Sequence, residues 1–234
     1  MEKNFKIIIV EHEERVRQGL IAVFEHHHFD VEATDNAATG YEKACSGEFD
    51  LLLLDARMSE TNAAEIFAGV RSLHPEQVIF MLTADSDNQV LIDGLSHGAD
   101  DYTSVPFAYS DLVQRAKALL RRTRLQNKNQ TTKAIKLGGN IEIDCLNLSG
   151  KGTQGELEFT PREIRVLEYL YENKGKTVET YELLHQVWGY PRYLKTETRA
   201  VDIHIGKLQK KLEIDPENPQ ILQPVGDEAY QLSV

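Results

Sequence analysis

Acidic residues gather in this chain where apolar runs stop. Phe49-Asp50-Leu51-Leu52-Leu53-Leu54-Asp55 carries four consecutive leucines and closes on an acid. So short a run with no polar side reads as a strand buried on both faces, as in a parallel sheet covered by helices. In open α/β sheets, chemistry collects where strands deliver their C-terminal ends. Asp55 therefore stands where a functional carboxylate belongs, although an acid there can equally cap the next turn. Glu11, His12 and Glu13 follow the apolar run Phe5–Val10, and Thr83 follows Val78–Leu82. Metal binding is the other chemistry such groups suggest, through His12 with His26-His27-His28. Consecutive helical residues point in different directions and do not converge as ligands, so no metal site is expected there.

These strand ends need elements to position them. Val16, Leu20, Val23 and Phe24 have helical spacing and lead to the three histidines. A short strand around Val31 and a helix over Ala37–Ser46 precede the leucine run. A helix over Ala63–Leu73 stops before Pro75, and another spans Gln89–His97. A strand near Tyr102, then Pro106, leads to a helix capped by Ser110, with Leu112, Val113, Ala116, Leu119 and Leu120 on one side. Five alternations of strand and helix predict an α/β domain with a doubly wound, five-stranded parallel sheet.

Composition narrows the function classes. The 234 residues, 41% hydrophobic, suffice for one large or two small domains. The apolar runs fall far short of the roughly 18 residues of a membrane span, and the N-terminus leads straight into a strand rather than a signal peptide. Cys45 and Cys145 lie in no metal-type spacing, so a cytoplasmic location is expected. Net charge is −11. Residues up to Thr132 carry 21 acids against 13 bases, and those from Lys133 onward 16 against 13. Neither half is basic, which argues against strong nonspecific nucleic-acid binding.

The stretches IIIVEHEE, FDLLLLDARM, FMLTA and GADDYTSVPF resemble the receiver domain of bacterial response regulators over about 120 residues. That resemblance implies that Asp55 matches the phosphoryl acceptor, that Glu11 and His12 match an acidic pair holding Mg²⁺, and that Thr83 matches the residue bonding the phosphoryl oxygen. A lysine is expected at position 105, where this chain has Val105. His12 replaces the main metal-binding Asp, and Ser59 and Ala63 replace Pro and Gly. Mg²⁺ wants hard oxygen ligands, whereas imidazole suits Zn²⁺ or Ni²⁺ better. Valine cannot supply a charge-assisted hydrogen bond of about 1.5–3 kcal/mol. Phosphoryl transfer depends on such cations, so slow or absent phosphorylation of Asp55 is expected. The alternative is weak phosphorylation with Glu11 and Glu13 holding the metal. Arg57 is either a solvated loop residue or a side chain that folds back to neutralise Asp55.

Helix Gln89–His97, Asp100-Asp101-Tyr102 and helix Asp111–Arg122 resemble the face by which OmpR/PhoB-type receivers pair. Asp100, Asp101, Asp111, Arg115 and Arg122 match its charged partners. Val90, Leu91 and Ile92 make the first helix unusually apolar; three successive residues span about 200° of helix, so at least one faces outward. Apolar contact is expected to replace part of the ionic network and favour a homodimer that needs no phosphorylation.

Residues 123–133 are polar and aperiodic and read as a linker between domains spanning 1–122 and 134–234. The second begins with short strands and glycine turns. Thr160-Pro161-Arg162-Glu163 is a capping box with proline at the first helical position. In a later helix, roughly Glu197–Leu212, Val201, Ile205, Leu208 and Leu212 share one side at ~100° per residue. Arg199, Ile203, Gly206, Lys207 and Lys210 project opposite, flanked by His204 and Lys211. This is either a solvated basic face or one that meets phosphates and bases in the major groove.

LEFTPREIRVLEYL, LLHQVWGY, TRAVDIHIGKLQKKLE and ENPQILQPVGDEAYQL resemble the winged-helix effector domain of OmpR/PhoB-type regulators, an α+β fold. The resemblance implies DNA binding through that helix, a C-terminal hairpin as the wing, and RNA polymerase and a histidine kinase as partners. Gly206 and Gln209 stand where arginines are common, and Gln223, Gly226, Asp227, Ala229 and Gln231 depart from the wing pattern. The expectation is an atypical transcriptional regulator with no small-molecule enzyme activity, no cofactor, a poor Mg²⁺ site and modest DNA affinity. The rivals are a protein-interaction adaptor with decayed DNA binding and a conventional phospho-activated response regulator in which Val105 is tolerated.

Overall fold

The computed structural model describes residues 4–58, 62–83, 88–126, 134–152, 155–192 and 198–233. Ser59 and most of the expected linker lie outside them. The chain divides into two compact units, Met1–Thr123 and Arg124–Val234.

The first unit alternates strand and helix: β1 (Lys6–Val10), α1 (Glu14–His26), β2 (Asp30–Thr34), α2 (Ala37–Ala44), β3 (Leu51–Asp55), α3 (Ala63–Leu73), β4 (Val78–Thr83), α4 (Asn88–Ser96), β5 (Asp101–Ser104) and α5 (Tyr109–Gln126). The five strands run parallel in the order β2-β1-β3-β4-β5. Ile7–Val10 and Leu51–Asp55 are essentially sealed from solvent, as their unbroken apolar runs require. Each fully buried Ile or Leu contributes about 1.5–3 kcal/mol. Gly40 allows close packing of α2: a Cβ there would lie 2.4 Å from Val10 Cγ2. In this strand order, β1 and β3 flank the point where the winding direction reverses, so a crevice opens at their carboxyl ends.

Two expectations about α5 are corrected. Ser110 lies inside the helix, which starts at Tyr109, rather than capping it. The helix also continues through residues 123–126, assigned above to the linker. Arg121 and Arg122 carry the helical spacing onward into a polar segment, so the loss of apolar periodicity marked the end of the core-facing stripe rather than of the helix.

The second unit opens with an antiparallel sheet of β6 (Ala134–Leu137), β7 (Ile141–Asp144), β8 (Ser149–Gly152) and β9 (Gly155–Glu158). Helices α6 (Pro161–Glu172), α7 (Thr180–Gln186) and α8 (Ala200–Leu212) follow, with β10 (Thr177–Glu179) between the first two. The hairpin β11 (Leu222–Pro224) and β12 (Ala229–Leu232) joins β10 in a three-stranded antiparallel sheet. The capping box forms: Glu163 N–H donates to Thr160 Oγ1 at 3.2 Å, and Thr160 N–H donates to Glu163 Oε2 at 2.8 Å. Arg162, one residue earlier, is buried against the Trp188 ring and donates to the Val187 carbonyl at 2.8 Å.

Candidate functional site

Glu11 at the end of β1 and Asp55 at the end of β3 are both buried, while His12 is half exposed. His12 Nδ1 lies 2.8 Å from Asp55 Oδ2 and 3.2 Å from Glu11 Oε1. Arg57 folds back onto the acid. Its Nε donates to Asp55 Oδ1 at 2.9 Å, its Nη2 to Oδ2 at 3.0 Å, and its backbone N–H to Oδ1 at 3.0 Å. Nη2 also lies 3.8 Å from Glu11 Oε1. A forked guanidinium on both oxygens is the strongest geometry open to such a pair.

Charge follows this geometry. Burial alone would raise the Asp55 carboxyl, but Arg57, through side chain and backbone, together with His12, holds it below the usual range. Burial pushes Glu11 up; Asp55 adds to that, and the Glu13 N–H and Arg57 oppose it. The Glu13 N–H donates to Glu11 Oε1 at 2.8 Å, whereas Glu11 Oε2 is buried without a hydrogen-bond partner.

Glu11, His12 and Asp55 form the one group among the described residues whose donor atoms lie close enough together to hold a metal ion. Neither Glu13 nor the three histidines of the α1 terminus belong to it. The set suits Mg²⁺ poorly: an imidazole replaces a hard oxygen, and Arg57 engages both Asp55 oxygens. Thr83 is buried at the end of β4, and its carbonyl accepts the Val105 N–H at 2.8 Å. The peptide between Val105 and Pro106 is cis.

The proposed pairing face needs correction. Leu91 is buried at 3% exposure, and Val90, 38% exposed, is the apolar residue that turns outward. Asp101 and Arg115 are spent on each other inside the unit, 2.7 Å apart, and Arg115 also donates to the Tyr102 carbonyl. Asp100 pairs with Arg71 at 2.9 Å. Tyr102 is buried too, while Asp111 is exposed and Arg122 half-buried. Charges whose types suit an intermolecular network are thus closed intramolecularly by the fold.

Helix α8 is corrected in the same way. Val201, Ile205, Leu208 and Leu212 are buried as projected, but so are Ile203 and His204. Lys207 Nζ lies 3.1 Å and Lys211 Nζ 2.7 Å from the buried Glu163 carboxylate. The projection assumed one packed side. This helix is covered on a second, by Trp188, whose ring lies 5.6 Å from that of His204, and by the start of α6. Its outward residues are Arg199, Asp202, Gly206, Gln209 and Lys210, of which Arg199, Asp202 and Lys210 are exposed. Asp202 accepts the Tyr230 hydroxyl of the hairpin at 2.8 Å, and Gln209 donates to the Leu222 carbonyl. Asp202 was thus missed as part of this face; its i, i+4 spacing to Gly206 was the available signal.

Residues 7–117 match the response regulator receiver domain family, and residues 154–232 match the family of transcriptional regulatory protein C-terminal domains. The transcriptional regulatory protein SrrA of Staphylococcus aureus (strain NCTC 8325 / PS 47) is 30% identical over 233 residues, covering 98% of this chain and 95% of SrrA. Among solved structures, a mutant form of RitR aligns with a TM-score of 0.73 at 22% identity, over 98% of this chain and 99% of that one. DrrB, an OmpR/PhoB homolog from Thermotoga maritima, reaches 0.50 at 24% identity over 99% and 100%. The chain belongs to the OmpR/PhoB-type response regulators of two-component systems, a receiver domain followed by a DNA-binding winged-helix domain. Such proteins regulate transcription, and no described helix is long and apolar enough to cross a membrane.

Proposed function

We propose that this regulator works as a homodimer whose assembly does not depend on phosphorylation of Asp55. The forked Arg57–Asp55 pair carries this reading. The acceptor carboxylate already holds a fixed countercharge, and phosphoryl transfer depends on cations acting on the incoming group. Val105 supplies none, and His12 weakens the Mg²⁺ set. A histidine kinase, the partner the family implies, therefore has little to act on here. Val90 on α4 supports apolar pairing between copies.

DNA is engaged through the outward face of α8, with Arg199 and Lys210 on phosphates and Gly206 allowing close approach. Affinity is modest, because the exposed hairpin tip carries Asp227 and Glu228. Paired half-sites on a dimer compensate. RNA polymerase is the further partner, and the cytoplasm the compartment.

Sedimentation equilibrium of the unmodified protein, repeated with Mg²⁺ and beryllofluoride, tests this reading. A micromolar dimer unmoved by the phosphoryl mimic supports it; a monomer that pairs only with the mimic sinks it. The buried, unpartnered Glu11 Oε2 favours a second reading, in which a cation enters, Arg57 swings away and Asp55 is phosphorylated. Intact-mass analysis after acetyl phosphate treatment separates the two through gain of one phosphoryl group.

A further inference from the structure

Glu163 is buried at the start of α6, yet it is ionised. Burial would raise its carboxyl, but Lys207, Lys211 and the Thr160 N–H hold it at about 2. Both lysines come from α8, one turn apart, and each takes a different oxygen: Lys207 Nζ lies 3.1 Å from Oε1, and Lys211 Nζ 2.7 Å from Oε2. Lys211 also donates to the Glu158 carbonyl at 2.7 Å and lies 5.2 Å from the Phe159 ring centre. The Lys207 side chain is 12% exposed and that of Lys211 28%. One buried carboxylate thus holds two of the four lysine and arginine charges that the helix projection turned toward DNA phosphates.

We infer that Glu163 is a positioning residue for DNA binding: it withdraws Lys207 and Lys211 from the phosphates and sets the electrostatic strength of the complex. This rests on α8 being the DNA-facing helix. A carboxylate and a phosphate compete for the same ammonium groups, and here the carboxylate is preorganised, doubly paired and largely shielded from salt. The wild-type chain binds DNA through fewer ionic contacts than its sequence suggests. Gln at position 163 preserves the capping box and removes the competing charge, so both lysines can extend toward solvent.

The test is fluorescence anisotropy of the full chain on a labelled duplex of arbitrary sequence, titrated across KCl concentrations. Each phosphate contact adds about 0.9 to the magnitude of the slope of log K against log salt. Glu163→Gln is expected to steepen the slope by about one to two units and tighten binding at low salt. Lys207→Gln in the otherwise wild-type chain is expected to leave the slope unchanged, and in the Glu163→Gln chain to take back about one unit. A merely structural role for Glu163 would not produce that conditional effect. Flattening by Lys207→Gln or by Lys211→Gln in the wild-type chain overturns the inference, and these variants decide it even if Glu163→Gln fails to fold. A folded Glu163→Gln with an unchanged slope, or without measurable binding, overturns it as well. Arg199→Gln with Lys210→Gln tests the underlying reading separately: an unaltered slope there, alongside a steepened one in Glu163→Gln, removes α8's outer face from the DNA contact while keeping the role of Glu163.

Discussion

The position of Arg57 in the sequence leaves two roles open. Two residues past Asp55, it can extend into water or fold back, and spacing does not choose between them. The choice is made by a buried acid that needs a countercharge, which only the folded sheet creates. Removing Arg57 strands that acid. Arg57→Ala is therefore expected to lower stability at pH 7 by on the order of 2 kcal/mol, measured as a difference in thermal unfolding. The sign with pH follows from the depressed Asp55 carboxyl. Its contribution is full above the ordinary carboxylate range and is lost as pH falls, so the deficit of the variant shrinks in acid. A deficit independent of pH would mean that the pair is not ionic. Glu163 obeys the same rule more strongly: its carboxyl lies at about 2 when folded. It contributes on the order of 3 kcal/mol above its unfolded value of about 4.5 and loses this as pH falls toward 2. Acid unfolding of the second unit, followed by Trp188 fluorescence, should therefore lose much of its steepness over that window in Glu163→Gln.

Elements were legible where their apolar pattern was unambiguous. The four leucines of β3 and the capping box of α6 need little beyond their own residues. The outer face of α8 was misread because one apolar stripe was taken as the whole packed surface, whereas Trp188 and Glu163 cover a second side from elsewhere in the chain. Strand β10 went unseen because Thr177-Val178-Glu179 is too short to show alternation. On α4, three apolar residues in a row could not say which one turns outward; packing buries Leu91 and leaves Val90 in solvent. Val90→Arg is accordingly expected to shift the sedimentation equilibrium toward monomer by tenfold or more without altering thermal stability. Nothing lies within 4 Å of where a Cβ at Gly206 would sit. Gly206→Ala should then add about 1 kcal/mol of stability while weakening DNA binding, because on the proposed reading the added methyl would face the groove. Tighter DNA binding in that variant would contradict close approach at this position.

At the scale of the molecule, the net charge of −11 opposes the polyanion the protein is built to meet. Association with DNA is thus opposed by a long-range repulsion that is strongest at low ionic strength and screened by salt, and reversal of Asp227 and Glu228 to lysine should raise affinity for any duplex, read by anisotropy at fixed KCl. A receiver that carries its own countercharge has a further consequence. On the proposed reading, with Arg57 lodged on Asp55, the acceptor site would no longer report on a kinase, and abundance would become the variable that remains. Pairing of free copies rises with the square of their concentration, so promoter occupancy would turn on steeply within a narrow range of protein level. Synthesis and proteolysis would then set the output that phosphate transfer sets in a conventional regulator.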